Sequence, residues 1–332
     1  MPPAPVTLDR FILEEQRSFP RSTGELSLLL MRLGVAAKRI ASALARAGLT
    51  GSHGSAGTDN VQGEEQKKLD VLANEILLET FDYGGLVTLA ASEEMEQPFV
   101  YRGSLEQGRY AVLFDPMDGS SNIDCNGTLG TIFSIRHRRD GTVGDLLRNG
   151  HDQAAAGYVL FGPAVILVYT SGDGVHLFTL DPTIGEFLLT RRDVQMPEKG
   201  KGYAVNEGRA HRWSPEVRAF VERLKTPEPG SGRVYSTRYS ASMVGDVHRF
   251  LLEGGIYLYP GDGKAASRGA GKLRVLYECH PLAFVVEHAG GRASTGTERV
   301  LDVAPETLHE RMPLAIGSRT EVELFESYAR RA

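Results

Sequence analysis

Over residues 25–47 the apolar positions recur at steps of three and four. Leu26, Leu29, Leu30, Leu33, Ala37, Ile40 and Leu44 share one face, which predicts a helix from Glu25 to Ala47. Ser22-Thr23-Gly24-Glu25 supplies N-cap candidates with a capping-box Glu, and Gly48 a stop. A weaker version of the period marks Leu8 to Gln16, and it returns over Glu64 to Thr80 with Leu69, Leu72, Ala73, Ile76 and Leu77. Asp70 falls beside that stripe, so its side chain is expected to face protein or a cleft. Between the two strong helices, Thr50 to Gly63 holds four glycines, two serines and two threonines with no apolar period, as a mobile lid-like loop would.

Short apolar runs follow: Leu86 to Ala91, ahead of Glu93-Glu94, and Tyr110 to Phe114, ahead of Asp115. They read as strands whose ends carry carboxylates. Ile132 to Arg136, Ala156 to Leu160, Ala164 to Thr170 and Gly174 to Leu180 extend the strand-rich region, punctuated by Gly141, Gly172-Asp173-Gly174 and Asp181-Pro182. Arg191 to Gly202 is polar and broken by Pro197, Gly200 and Gly202, a candidate boundary that gives domains over 1–195 and 196–332. Pro215 to Leu224 and Ser240 to Leu252 then read as helices, Ile256 to Tyr259 and Leu273 to Glu278 as strands, and Pro281 to Ala289 as a helix ending at Gly290-Gly291. Helices and strands alternate in both halves, so the fold class is mixed α/β with layered sheets.

With 332 residues, 41% of them apolar and 24% charged, the chain has the balance of a globular protein with room for two domains. A net charge of −5 with scattered basic residues argues against nucleic-acid binding, which needs a basic stripe to displace counterions. No apolar run reaches the roughly 18 residues a bilayer span requires, and Met1-Pro2-Pro3-Ala4-Pro5 does not start like a secretory signal. The two cysteines, Cys125 and Cys279, are too few for a disulfide scaffold or a thiolate metal site; they are expected to be small buried side chains in a reducing cytoplasm.

The candidate chemistry lies in Tyr110 to Asn122. Pro116 stiffens the backbone after the strand, so Asp115 and Asp118 are expected to project from one turn. Gly119 permits close approach, and Ser120, Ser121 and Asn122 are helix-start residues whose N–H groups can face an anion. Carboxylates beside an anion nest need a cation between them, and oxygen ligands select a hard divalent ion, Mg²⁺ above all. Phosphate monoester hydrolysis is among the slowest uncatalysed reactions, needing up to ~10²¹-fold acceleration. Two or more metals roughly 3.5–4 Å apart can supply it. Asp70, Glu93, Glu94, Asp115, Asp118 and Glu278 are the carboxylates available at element ends or beside a cleft.

These motifs resemble the fructose-1,6-bisphosphatase family, of the inositol monophosphatase-like superfamily. The resemblance rests on 67–72 (KKLDVL), 92–94 (SEE), 114–125 (FDPMDGSSNIDC), 130–133 (GTIF), 206–208 (NEG), 238–243 (RYSASM), 254–260 (GGIYLYP) and 271–279 (GKLRVLYEC), and spans about Thr7 to Tyr328. It implies a layered αβαβα sandwich, typically a homotetramer, that hydrolyses the 1-phosphate of fructose 1,6-bisphosphate. Two or three Mg²⁺, or Mn²⁺, are implied on Glu93, Asp115, Asp118, Glu278 and the Met117 carbonyl, with Glu94 also at the metal-water site. Glu94 and Asp70 would orient and deprotonate the attacking water. Gly119, Ser120 and Ser121 would hold the scissile phosphate. Asn206, Tyr239, Tyr259 and Lys272 would hold the distal one, with Arg238 of the partner subunit reaching in; Met243 would line the sugar, and Arg274 sit near the metals.

Several positions depart from the family pattern. Glu64 stands for an Asp, Arg209 for a Tyr near the distal phosphate and His53 for a Tyr in the loop, and 261–270 is long. Thr23-Gly24-Glu25-Leu26-Ser27 with Arg109-Tyr110 resembles the family's AMP site, but His137, between Arg136 and Arg138, replaces a phosphate-binding Arg. AMP inhibition weaker than in animal enzymes is therefore expected, with simple helix capping as the other reading of that segment. Three further alternatives remain open: a phosphatase that also takes sedoheptulose 1,7-bisphosphate, an inositol-type monophosphatase, and a catalytically inactive sugar-phosphate or nucleotide sensor.

Overall fold

The computed structural model describes residues 5–19, 22–59, 65–82, 84–104, 107–228, 230, 232, 234–261 and 271–330. In chain order the helices are α1 (Leu8–Arg17), α2 (Glu25–Thr50), α3 (Lys68–Asp82), α4 (Pro215–Lys225), α5 (Met243–Glu253), α6 (His280–His288) and α7 (Arg319–Ala329). The strands of the first half are β1 (Ser55–Asp59), β2 (Glu65–Lys67), β3 (Val87–Ser92), β4 (Phe99–Val100), β5 (Tyr110–Asp118), β6 (Leu129–His137), β7 (Gln153–Phe161), β8 (Val165–Thr170), β9 (His176–Asp181) and β10 (Glu186–Arg191). Those of the second half are β11 (Gly202–Ala204), β12 (Ser236–Thr237), β13 (Gly255–Tyr259), β14 (Leu273–Arg274), β15 (Arg292–Ser294), β16 (Arg311–Met312) and β17 (Leu314–Gly317).

Two large sheets form, in the orders β10-β9-β8-β7-β6-β5-β3-β4 and β12-β11-β13-β17-β15. Strand alternation decides what each face covers. On β5, Val112 and Phe114 pack into one core with Phe11 of α1, Leu29, Leu33 and Ile40 of α2, and Ala73 and Leu77 of α3. On the opposite face, Ile132, Tyr158 and Val168 meet Val247 and Phe250 of α5 and Leu282 and Val286 of α6, which also cover Tyr257 and Ile316 of the second sheet. The outer face of that second sheet buries Ile256 and Leu258 under Phe220 of α4 and Phe325 of α7. Five layers result, helix–sheet–helix–sheet–helix, as the resemblance implied; each apolar face finds a partner because each strand exposes alternate residues to each side.

Several elements differ from their sequence expectation. Helix α2 runs past Gly48 to Thr50 and stops at Gly51, whose φ of 69° and N–H bond to the Ala47 carbonyl make the left-handed cap. The capping box does not form: Gly24 is the N-cap at φ 84°, and the Thr23 hydroxyl turns to Glu25 Oε2 at 2.8 Å. The 50–63 segment is not wholly irregular, since β1 pairs with β2 and displaces the start of α3 from Glu64 to Lys68. Helix α5 begins at Met243, because Ser242 caps it by accepting the Gly245 N–H, rather than at Ser240.

The expected strand over Leu273 to Glu278 persists for two residues only, then widens into a π-helical turn over Val275–Cys279. Pro281 lacks the N–H that would bond the Tyr277 carbonyl in an α-helix, and the wider turn avoids that vacancy. Cys279 is buried as expected, but Cys125 is exposed on the loop after Asn122, its thiol turned to the Asn122 carbonyl. Among the described residues no helix is long and apolar enough to cross a membrane.

Candidate active site

Strand β5 does not end at Phe114; it carries Asp115 and Asp118 within its last turn of pairing, where the register with β6 is interrupted between them. That irregularity aims both carboxylates to one side. Asp115 Oδ1 accepts the Met117 N–H at 2.9 Å, and the Thr131 hydroxyl holds the Pro116 carbonyl at 2.8 Å. Asp118 is met by the start of α5: Ser242 Oγ donates to it at 2.7 Å and the N–H groups of Met243 and Val244 at 3.1 and 2.8 Å. Glu278 arrives on the π turn, where the Arg274 N–H donates to its Oε2 at 2.5 Å. Oxygen atoms of Asp115, Asp118 and Glu278 all fall within 4.8 Å of one another, and all three residues are buried.

Such crowding is unfavourable without a counter-charge. Burial, followed by Glu93, Asp118 and Glu278, pushes the Asp115 carboxyl well up from its ordinary range. Burial also raises Asp118 against its three hydrogen bonds. Glu278 is pushed up to about 8, by burial and then by Glu93, with Arg274 opposing. The Arg274 guanidinium pairs with Glu93 at 2.8 Å and lies 4.0 Å from Glu278. One guanidinium among four buried carboxylates leaves a negative excess, and every side-chain donor atom in the set is a hard oxygen. That set fits a divalent cation such as Mg²⁺ and offers nothing to a soft one.

Asp70 and Glu94 stand beside this cluster. Asp70 is raised to about 7, chiefly by burial, with the Lys67 N–H bond opposing and Glu94 and Glu93 adding to the rise. Its Oδ1 is buried with no hydrogen-bond partner among the described residues. Glu94 is half-buried; its N–H reaches Ser92 Oγ at 3.2 Å, and its Oε2 accepts Gln66 Nε2 at 2.6 Å.

Gly119 follows with φ 80°, and a Cβ there would lie 2.9 Å from the Ser242 Cβ, so both conformation and space demand glycine. Ser120 and Ser121 start a single 3₁₀ turn, and Asn122 behind them donates to the carbonyls of Thr128 and Ser240 at 2.9 and 3.0 Å. A second group forms beyond α5: the Tyr239 hydroxyl bonds the Asn206 side chain, with Tyr259 and Arg209 close enough to bias its ionisation. Lys272 is half-buried just before β14, and Met243 is buried at the Asp118 end of α5. Arg238 is exposed and its guanidinium donates to the Thr237 carbonyl at 2.8 Å. Glu64 and 262–270 lie outside the described residues.

The residues resembling an AMP site gather at the opposite end of β5. Arg109 Nε lies 3.3 Å from Glu25 Oε2, and the Tyr110 ring is 5.2 Å from the His137 ring. His137 lines two adjoining hollows, one apolar with Leu26, Leu30 and Tyr169, of about 250 Å³, and one basic with Arg109, Arg138 and Arg139. Arg136 does not contribute: its guanidinium is buried against the Arg148 and Asn149 carbonyls and His280 Nδ1. Sequence reasoning missed Ser242 and Gln66. Ser242 is detectable as a Ser one residue ahead of an apolar helix; nothing in the sequence marks Gln66.

The family profile described as "Fructose-1-6-bisphosphatase, N-terminal domain" matches residues 6–192, and its C-terminal counterpart matches 196–330. A class 1 fructose-1,6-bisphosphatase of Thermosynechococcus vestitus is 48% identical over 328 residues, covering 97% of this chain and 92% of that protein. A cytosolic fructose-1,6-bisphosphatase of Arabidopsis thaliana is 47% identical over 321 residues, covering 96% and 93%. The crystal structure of Leishmania major fructose-1,6-bisphosphatase in its holo form superposes with a TM-score of 0.90 at 40% identity, over 99% of this chain and 100% of that one.

Proposed function

The chain belongs to the fructose-1,6-bisphosphatase family of phosphoric monoester hydrolases, and from that premise we propose that it hydrolyses the 1-phosphate of fructose 1,6-bisphosphate with Mg²⁺. One observation carries the reading: Asp115 and Asp118 from one strand and Glu278 from a distant part of the chain are buried together in a cage that repels itself. Glu93, Asp115, Asp118, Glu278 and the Met117 carbonyl would hold two or three Mg²⁺, with Mn²⁺ tolerated. Bound there, the ions would neutralise the phosphate and lower the pKa of water.

The chain's own residues supply the rest. Gly119 lets the backbone approach the scissile phosphate, and the N–H groups and hydroxyls of Ser120 and Ser121 bind its oxygens. Asp70 and Glu94 orient the attacking water, and Glu94 takes its proton. Asn206, Tyr239, Tyr259 and Lys272, with Arg238 of the partner subunit, anchor the distal phosphate, while Met243 lines the sugar and Arg274 restrains Glu93. Binding energy at the distal end then fixes the reacting phosphate against the carboxylates. The division into a regulatory and metal-binding domain over 1–195 and a sugar-phosphate-binding domain over 196–332 follows from these assignments. A homotetramer in the cytoplasm, serving gluconeogenesis or carbon fixation and weakly inhibited by AMP, completes the proposal.

Phosphate release from fructose 1,6-bisphosphate, sedoheptulose 1,7-bisphosphate and inositol 1-phosphate, each with and without Mg²⁺, tests it. Turnover should require the metal and a second phosphate on the substrate. Asp118→Ala and Glu94→Gln should each lower kcat by about 10³-fold or more while the protein stays folded. Near-normal turnover in either variant, or equal activity on the monophosphate, would sink the assignment.

A further inference from the structure

Two neighbouring residues of β2 reach the two carboxylates assigned above to the attacking water. Lys67 gives its backbone N–H to Asp70 Oδ2 at 2.8 Å, and Gln66 gives its side-chain Nε2–H to Glu94 Oε2 at 2.6 Å. The strand that presents them is anchored elsewhere. Gly54 donates its N–H to Asp124 Oδ1 at 2.9 Å, Lys67 Nζ lies 3.3 Å from Asp124 Oδ2, and the Lys68 N–H bonds the Gly54 carbonyl at 3.2 Å. Gln66 therefore reaches Glu94 from a strand whose next residues are tied to Gly54 and Asp124.

Glu94 receives that contact on its side chain. Its main chain is tied to Ser92, but two methylene groups separate that anchor from the carboxylate, and the side chain is only half-buried. The amide bond to Oε2 orients the carboxylate plane. A general base works only when held within hydrogen-bond reach of the proton it takes, and a misplacement of about 1 Å can cost ~10²-fold. A neutral amide also suits the position chemically. An ammonium group there would pair with Glu94 and weaken it as a base, and a carboxylate would repel it.

We propose that Gln66 is a positioning residue for the hydrolytic reaction, holding Glu94 in the orientation that accepts a proton from the attacking water. In that step the water oxygen bonds phosphorus, one of its protons passes to Glu94, and the bond from phosphorus to the sugar C1 oxygen breaks. The proton returns through solvent to the departing oxygen, so the products are a sugar hydroxyl and inorganic phosphate. The inference rests on Glu94 being the base.

The test is steady-state phosphate release by the full chain carrying Gln66→Met, which keeps the side-chain length and removes the donor, at saturating Mg²⁺. Expected are a kcat lower by about 10- to 100-fold, a KM within about twofold and an unchanged melting temperature. Gln66→Asn, which keeps the amide donor on a shorter stem, should retain more of the kcat than Gln66→Met. Unchanged kcat in Gln66→Met, or an equal kcat loss in Gln66→Met and Gln66→Asn matched by lost thermal stability, overturns the inference. Glu94→Gln separates the two claims. Near-normal turnover in that variant removes the base itself, whereas an inactive Glu94→Gln beside a wild-type-like Gln66→Met removes only the role of Gln66.

Discussion

Ionising Glu278 inside the carboxylate cage is costly without a counter-ion, and the cost depends on pH. Burial first, and Glu93 second, move its carboxyl from 4.5 up to about 8. At ~1.4 kcal/mol for each factor of ten in proton affinity, the ionised side chain costs the metal-free fold about 5 kcal/mol. Below about pH 4.5 the group is protonated in both folded and unfolded chains, and nothing is lost. Between that pH and about 8 the unfolded chain ionises first, so stability falls as the pH rises; above about 8 the loss is complete. Asp70, raised to about 7, acts in the same direction. A divalent cation pairs with the ionised groups and removes the penalty, so the gap in melting temperature between metal-loaded and stripped protein should widen with pH. An unfolding entropy of ~2.1 cal/mol/K per residue gives ~0.7 kcal/mol/K for this chain, so the gap should grow by about 5 °C from about pH 5 to about pH 8.5, the range that holds roughly three quarters of the penalty. Scanning calorimetry with millimolar Mg²⁺ or with EDTA measures it. A gap that stays constant, or narrows toward alkaline pH, would refute the reasoning.

Two further outcomes follow from the same geometry. Ser242→Ala removes the hydroxyl that donates to Asp118 at 2.7 Å and that caps α5; the Mg²⁺ concentration for half-maximal activity should rise about 10-fold, as for other residues that orient a metal ligand, and an unchanged metal titration would contradict this. Thr23→Ala removes a hydroxyl from the helix start facing Arg109 and His137. With AMP bound there, the concentration for half-inhibition should rise about 10-fold or more, the worth of one hydrogen bond to a charged group, and kcat without AMP should hold. Steady-state inhibition curves that coincide for the two proteins would show that AMP does not use this segment.

The layered architecture was legible because helical and strand periods are local. Leu29, Leu33 and Ile40 declare a helix face without reference to anything distant, and all three are buried. Asp115 and Asp118 were legible as a pair for the same reason, three residues apart around a proline. What was not legible depends on partners far along the chain. The end of α2 falls at Gly51 rather than Gly48 because only Gly51 takes the left-handed conformation, a choice between two glycines that composition does not make. The strand expected over Leu273 to Glu278 looked like one because Leu273, Val275 and Leu276 are apolar; its conversion to a π turn follows from Pro281, several residues later, and from β16, which pairs only with Leu273 and Arg274. Edge strands such as β12 and β16, two residues each, carry too few positions to show a period. The inward turn of Arg136 was invisible as well, since it depends on carbonyls of 148 and 149 and on His280.

The π turn also explains why the cage forms at a seam between layers. Asp115 and Asp118 belong to the first sheet, while the N–H groups that hold Asp118 belong to α5, and Glu278 belongs to the turn that becomes α6. Both helices are sandwiched between the two sheets. The relative placement of the layers therefore sets the spacing of the carboxylate oxygens, and a cation bound among them must bridge sheet and helix. Strand β5 runs from Tyr110, beside His137 and the basic hollow, to Asp118. At ~3.3 Å per residue, about 26 Å of one strand separates the two ends. A ligand at the Tyr110 end has no contact with the carboxylates, and a shift of β5 against α5 and α6 is a direct mechanical route between them. Such a shift would appear as a changed Mg²⁺ requirement before any change in substrate affinity.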